Sequence, residues 1–167
     1  MELKFNFSQF NYSVLMSIEI KISLNNGLYL KEPQDSKLGR NIIKHSILLI
    51  DKFGFESFTF KKLAEEINST EASIYRYFEN KHLLLLFLVN WYWEWVSYLI
   101  GINTINVEDP KKKLKIVIHS FVYASKENPS VTYVNESKLH RIVISEGNKT
   151  YHTKEVDNEN SKGFFKS

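Results

Sequence analysis

Residues 59 to 81, TFKKLAEEINSTEASIYRYFENK, gather the side chains that recognise nucleic acid. Ser, Thr and Tyr hydroxyls and the free backbone N–H groups of helix N-termini donate to phosphate oxygens, and small side chains let a backbone approach base edges. Thr59, Lys61, Thr70, Glu71, Ala72, Ser73, Tyr75, Arg76, Tyr77 and Lys81 are the candidate DNA-binding residues. Glu71 is discordant, because phosphate repels a carboxylate. It can still accept a hydrogen bond from cytosine N4 and so select sequence by exclusion. The chemistry of an enzyme is missing by comparison. The chain has no cysteine and five scattered histidines, and it lacks H-E-x-x-H, G-x-S-x-G, Walker A and G-x-G-x-x-G patterns. His45 and His119 lie on or beside apolar helix faces, where a structural role is the commoner one. The expectation is a non-enzyme with no catalytic residue, metal or cofactor. The net charge of +3 permits phosphate contact without requiring it.

These residues need three short helices to hold them. From Leu38 the apolar period becomes helical, with Ile42, Ile43, Ser46, Ile47, Leu49, Ile50 and Phe53 facing inward and Gly54 as a stop. Thr59 is placed to cap a second helix that turns Leu63, Ala64 and Ile67 inward. Asn68 tolerates the left-handed conformation that ends it. Thr70 caps a third helix, Glu71 to Tyr77, anchored by Ile74 and Phe78. Glu71, Ala72 and Tyr75 are left on the opposite side, with Ser73 and Tyr77 on the flanks. That is a helix-turn-helix, whose second helix lays its N-terminal residues on base edges.

The rest also reads as helical. Asn80 caps a fourth helix, Lys81 to Ile100, apolar on nearly every side. Its length could span a bilayer, but Trp91, Trp93 and Trp95 fall in mid-segment beside Glu94, where a charge costs on the order of 2.5 kcal/mol or more. A buried helix with a narrow polar stripe (Asn90, Glu94, Ser97, Gly101) is the better reading. Asp109-Pro110 opens a fifth helix with Leu114, Val117, Ile118, Phe121 and Val122 inward. A sixth is expected from Ser130 to Ser145, stopped at Gly147, followed by polar residues 148 to 162 and an abrupt end at GFFKS. Trp91, Glu94, Trp95, Tyr98 and Phe121, with Tyr123, are candidate walls of an apolar ligand site, weighed against plain core. Before the helices, residues 17 to 30 alternate around Asn26-Gly27 and predict a β-hairpin or an extended arm. No signal peptide is legible ahead of them, and Met16 is an alternative start.

The stretch IIKHSILLIDKFGFESFTFKKLAEEINSTEASIYRYFENKHLLL resembles the N-terminal domain of the TetR family of bacterial repressors. The most specific parts are the turn at Gly54, Phe55 and Thr59, the LAEEI helix and the Ile74–Phe78 block before Asn80-Lys81. The resemblance implies an all-α protein: an N-terminal arm (1–35), a DNA-binding domain (36–82) and a helical ligand-binding and dimerising domain (83–167). It implies that Thr59 caps near phosphate, that Thr70 to Ser73 meet the major groove, and that Tyr75, Tyr77 and Lys81 grip the DNA backbone. It further implies a cytoplasmic homodimer, without a membrane, that binds a double-stranded operator under control of a small-molecule effector. Family members dimerise through their last two helices, which the length leads one to expect are partly or wholly missing. Asn68 replaces the usual glycine, and Glu71 stands where a basic residue is frequent, so the operator is not transferable. A helical module for an apolar ligand, without DNA binding, is the rival expectation.

Overall fold

A computed structural model describes residues 21 to 151 other than 25, 129 and 130. Among the described residues there are six α-helices and no strand: α1 (Lys37–Ser57), α2 (Phe60–Glu66), α3 (Glu71–Tyr75), α4 (Lys81–Thr104), α5 (Pro110–Tyr123) and α6 (Glu136–Glu146). Each starts at a side-chain cap. Ser36, Thr59, Thr70, Asn80, Asp109 and Asn135 accept from the backbone N–H of Gly39, Lys62, Ser73, Leu83, Lys111 and Lys138 respectively. Each cap satisfies one donor the helix cannot satisfy itself, and is worth about 1 kcal/mol.

α1 buries Ile42, Ile43, Ser46, Ile47 and Ile50, as its spacing predicts. Phe53, expected inside, is exposed. The cause is Gly54, whose φ of 76° and ψ of 158° break the helical path, so that Phe55 enters the core in its place. At the other end of α1, Gly39 lies against the preceding turn, where a Cβ would collide with the Pro33 backbone carbonyl.

The predicted hairpin is not formed over the residues described, although 17 to 20 and 25 lie outside them. Among the described residues, 21–24 have no ladder partner and Asn26–Leu28 form a 3-10 turn. The reason is Gln34, which is buried and takes the place of a partner strand. Its side-chain amide donates to the Ile22 carbonyl (2.7 Å) and its Oε1 accepts from Ile22 N (3.2 Å). The same oxygen accepts from Trp91 Nε1 (3.3 Å) and the Tyr133 hydroxyl (2.9 Å), tying the arm to the centre of α4 and to the segment before α6.

α4 is the axis of the molecule. By length and composition it could cross a membrane, but ten of its residues, including Phe87, Trp91, Trp95 and Leu99, are buried in the shared core. Burying each large side chain contributes about 1.5–3 kcal/mol. Trp91 stacks on Trp95 (6.0 Å) and Trp95 on Tyr98 (5.6 Å). Of the expected polar stripe, Glu94, Ser97 and Gly101 are exposed and Asn90 is half-buried, its amide donating to the Leu86 carbonyl (2.8 Å), while Trp93 is exposed beside them.

α5 reverses the expected facing. Leu114, Ile118, Phe121 and Val122 are exposed, while Ser120 and Ala124 are buried. α5 packs against α4 alone among the helices that share extensive contact with it, so only one of its two sides is covered. α6 starts at Glu136 rather than Ser130, because Val131, Tyr133 and Val134 enter the core as an irregular segment. Gly147 has helical angles and passes into a 3-10 turn instead of stopping the helix.

α6 is fastened to α1. Asp51 accepts from Arg141 Nε (2.9 Å) and Lys138 Nζ (3.0 Å), and the Arg141 guanidinium holds its carboxyl below the usual carboxylate range. Near the kink, Glu146 Oε1 accepts from Phe55 N (3.3 Å), and Lys149 bridges Glu146 (2.7 Å) and Glu56 (3.0 Å).

Candidate nucleic-acid interface

α2 and α3 are held mainly by their apolar sides. Phe60, Leu63 and Ala64 of α2 and Ile74 of α3 are buried, with Phe78 just beyond. The turn between the two is tight: Asn68 adopts a φ of 51°, and Ser69 N donates to the Ala64 carbonyl (2.9 Å). A left-handed residue there costs little only for Gly or a short amide or acid such as Asn.

The outer edge of α3 is assembled as the spacing predicts. Thr70, Glu71, Ala72, Tyr75 and Arg76 are exposed and Ser73 is half-buried. Thr70 Oγ1 lies 2.9 Å from Ser73 Oγ and accepts from Ser73 N at 3.2 Å, so the two hydroxyls are fixed together at the helix tip. Tyr75 is 47% exposed, and its ring is propped edge-on by Phe60 at 5.0 Å. Phe60 has no polar atom to mark it in the sequence, yet it braces the Tyr75 ring and so sets where its hydroxyl points. Thr59 and Lys61 at the start of α2 are exposed as well.

Two members of the expected set lie elsewhere. Tyr77 is buried, its hydroxyl 2.8 Å from Ser36 Oγ and its carbonyl accepting from Leu30 N at 2.8 Å. Lys31 sits over its ring at 5.3 Å. α3 ends at Tyr75, so Tyr77 belongs to the following turn, on the same side as Ile74 and Phe78, and it anchors the N-terminal arm instead of facing DNA. Lys81 is half-buried, and its ammonium donates to the carbonyls of Phe55 (3.2 Å), Glu56 (3.4 Å) and Phe58 (3.3 Å) while lying over the Phe55 ring at 4.7 Å. It neutralises the exposed carbonyls where α1 ends, and so sets the angle at which α2 leaves.

Charge alone is weak here. Residues 59 to 81 carry Lys61, Lys62, Arg76 and Lys81 against Glu65, Glu66, Glu71 and Glu79, a balance of zero. Lys62 is further engaged with the Ser57 carbonyl at 2.7 Å. Hydroxyls and helix N-termini are the other groups in this segment able to donate to phosphate oxygens.

Residues 42–86 match the model of the bacterial regulatory proteins of the tetR family. The chain carries a TetR-family DNA-binding domain. The match begins within α1 and ends in the second turn of α4, so it includes the whole helix-turn-helix and the helix that braces it. TetR-family domains of this kind belong to DNA-binding transcriptional regulators. Comparison with curated proteins and with solved structures gives no match.

The candidate ligand walls are not brought together. Trp91 and Trp95 are buried and Tyr98 half-buried along one stack, whereas Glu94 is exposed and Phe121 is 44% exposed on α5. Trp93, which sequence reasoning left out, meets Phe121 edge-on at 6.3 Å. Glu94 lies about 100° round the helix from Trp95, at the exposed border of the buried stack.

Proposed function

We propose that the chain binds a double-stranded operator through Thr59, Lys61, the α3 edge from Thr70 to Ser73, and Tyr75 and Arg76, acting as a cytoplasmic transcriptional repressor. The observation that carries this reading is the exposed, locally fixed edge of α3: paired Thr70 and Ser73 hydroxyls and a propped Tyr75 on a short helix set by a left-handed turn. Glu71 at the same tip selects by exclusion, favouring cytosine N4 over acceptor-rich edges. Selection of binding sites from random duplex DNA tests it. Enrichment of one sequence, lost in Ser73→Tyr, is expected. Uniform recovery of all sequences would reduce the reading to non-specific DNA contact.

Control by a small ligand is the finer part of this proposal, and it rests on Trp95. Its Nε1 is buried in the aromatic stack with no hydrogen-bond partner, which costs about 1–3 kcal/mol unless an acceptor is supplied. An apolar compound carrying one acceptor would relieve that cost. It would also move α4, whose first residue, Lys81, holds the end of α1. Quenching or shift of Trp emission by such compounds, reduced in Trp95→Phe, is the expected result. Emission that ignores every compound would remove ligand control and leave DNA binding standing.

A further inference from the structure

We propose that Gln34 is a positioning residue for DNA recognition: through the strap that it fastens, residues 28 to 36, it fixes the main chain into which α3 runs. The inference rests on the α3 edge being the surface that reads DNA.

α3 has five residues, too few to keep a helical path unaided, because nucleating a helix is costly and so short a run repays little of that cost. Its direction depends on what holds its two ends. The start is fixed by the Thr70 cap and the left-handed turn at Asn68. Beyond the end, the N–H groups of Tyr77 and Phe78 converge on the Ile74 carbonyl (2.8 and 3.1 Å), and the Tyr77 carbonyl accepts from Leu30 N (2.8 Å). That last bond is the strap's hold on the α3 exit. It acts on main chain, whereas the contact of Ser36 Oγ with the Tyr77 hydroxyl acts at the far tip of a side chain. Leu30 is placed for its N–H alone, since its side chain is 66% exposed.

Gln34 gives the strap its fixed course. It is buried, and its Oε1 accepts from Ile22 N, Trp91 Nε1 and the Tyr133 hydroxyl. Its Nε2 donates to the Ile22 carbonyl and to Glu32 Oε1 (3.1 Å). An amide can accept and donate side by side in this way, while a carboxylate only accepts. The pairing with Ile22 closes the chain back on itself, and the bonds to Trp91 and Tyr133 fasten the closure to α4 and to the segment before α6. Between these points Tyr29 packs edge-on against Phe87 of α4 at 6.0 Å. The strap thus carries the positions of Trp91 and Tyr133 to α3 by a path that does not pass through Lys81, which acts on the end of α1.

Leu30→Pro removes the N–H that reaches Tyr77, and Leu30→Ala keeps it. Electrophoretic titration compares the duplex recovered by selection from random sequence with mixed duplex. Leu30→Pro should lower the ratio of the two affinities about fivefold, the worth of one hydrogen bond, with circular dichroism unchanged, and Leu30→Ala should keep the wild-type ratio. Gln34→Leu, similar in size, should lower the ratio at least as far. Hydrogen exchange without DNA gives a second readout. The amides of Ser73, Tyr77 and Phe78 should exchange faster in Leu30→Pro, in Gln34→Leu and in Tyr133→Phe, which takes one donor from Gln34, but not in Leu30→Ala. A general loss of stability would lower both affinities together and leave their ratio alone, and that result overturns the proposal. So do unchanged exchange at these amides in Leu30→Pro or in Tyr133→Phe, and a Leu30→Ala variant that matches Leu30→Pro. A wild-type chain with no preference among duplexes would refute the reading of the α3 edge, and the exchange pattern would then decide by itself whether Gln34 holds α3.

Discussion

The hydroxyl of Tyr75 stands at the open edge of α3 with its ring braced by Phe60, whereas two residues later Tyr77 is enclosed by Ser36, Leu30 and Lys31. Tyr75→Phe should therefore weaken operator binding about fivefold, the worth of one hydrogen bond near 1 kcal/mol, with Tm unchanged. Tyr77→Phe should do the opposite, lowering stability by about 1 kcal/mol while leaving DNA contacts in place. Electrophoretic titration with thermal melts of both variants separates the two roles. The sequence shows the side-chain chemistry of both tyrosines, but not the arm that closes over Tyr77, because that arm is positioned by Gln34 from a distance. Glu136 is a second residue invisible to pattern. Burial pushes its carboxyl up to about 7, with one oxygen accepting from Asn128 N (3.3 Å) and the other without a partner. A raised carboxyl binds a proton more tightly folded than unfolded. Its stabilisation is thus complete below the ordinary value of 4.5 and is lost as pH rises to about 7. Thermal melts should show a loss over that window of a few kcal/mol at most, flattened in Glu136→Gln.

At the scale of elements, the helix starts were readable because a cap is a local event: Thr59, Thr70, Asn80 and Asp109 each sit where the capping geometry places them. Gly54 and Asn68 were readable for a similar reason, since few residues take a positive φ cheaply. Their substitution should separate conformational from packing costs. At Gly54 an added Cβ meets nothing closer than Glu146 Oε1 at 3.6 Å, so Gly54→Ala should cost about 1–3 kcal/mol through backbone strain alone. Asn68→Gly should be neutral or stabilising by denaturant titration, and Asn68→Val destabilising by about 1–2 kcal/mol. The facing of α5 was not readable. Both its sides carry apolar residues, and periodicity detects a stripe without saying which neighbour covers it. The start of α6 was missed because an apolar irregular segment, Val131 to Val134, has the same composition as a buried helical turn.

Across the whole molecule, the C-terminal end of α1 is held by α4 and α6, the helices that follow the helix-turn-helix. Lys81 of α4 grips its last carbonyls, and Asp51 and Phe55 are tied to α6. A shift of α4 against α6 would reach α2 and α3 through that helix, the route that the proposed ligand control requires. Since residues 59 to 81 carry no net charge, few phosphates are neutralised by each chain. Recognition of duplex DNA by the α3 edge is read out by the salt dependence of binding by the full chain. Binding at low salt, with a log–log slope of about −2 to −3 per bound chain and a loss of affinity in Tyr75→Phe, is the predicted result. A folded chain that ignores duplex DNA at low salt, or one whose binding is untouched by Tyr75→Phe and Ser73→Tyr, would contradict it.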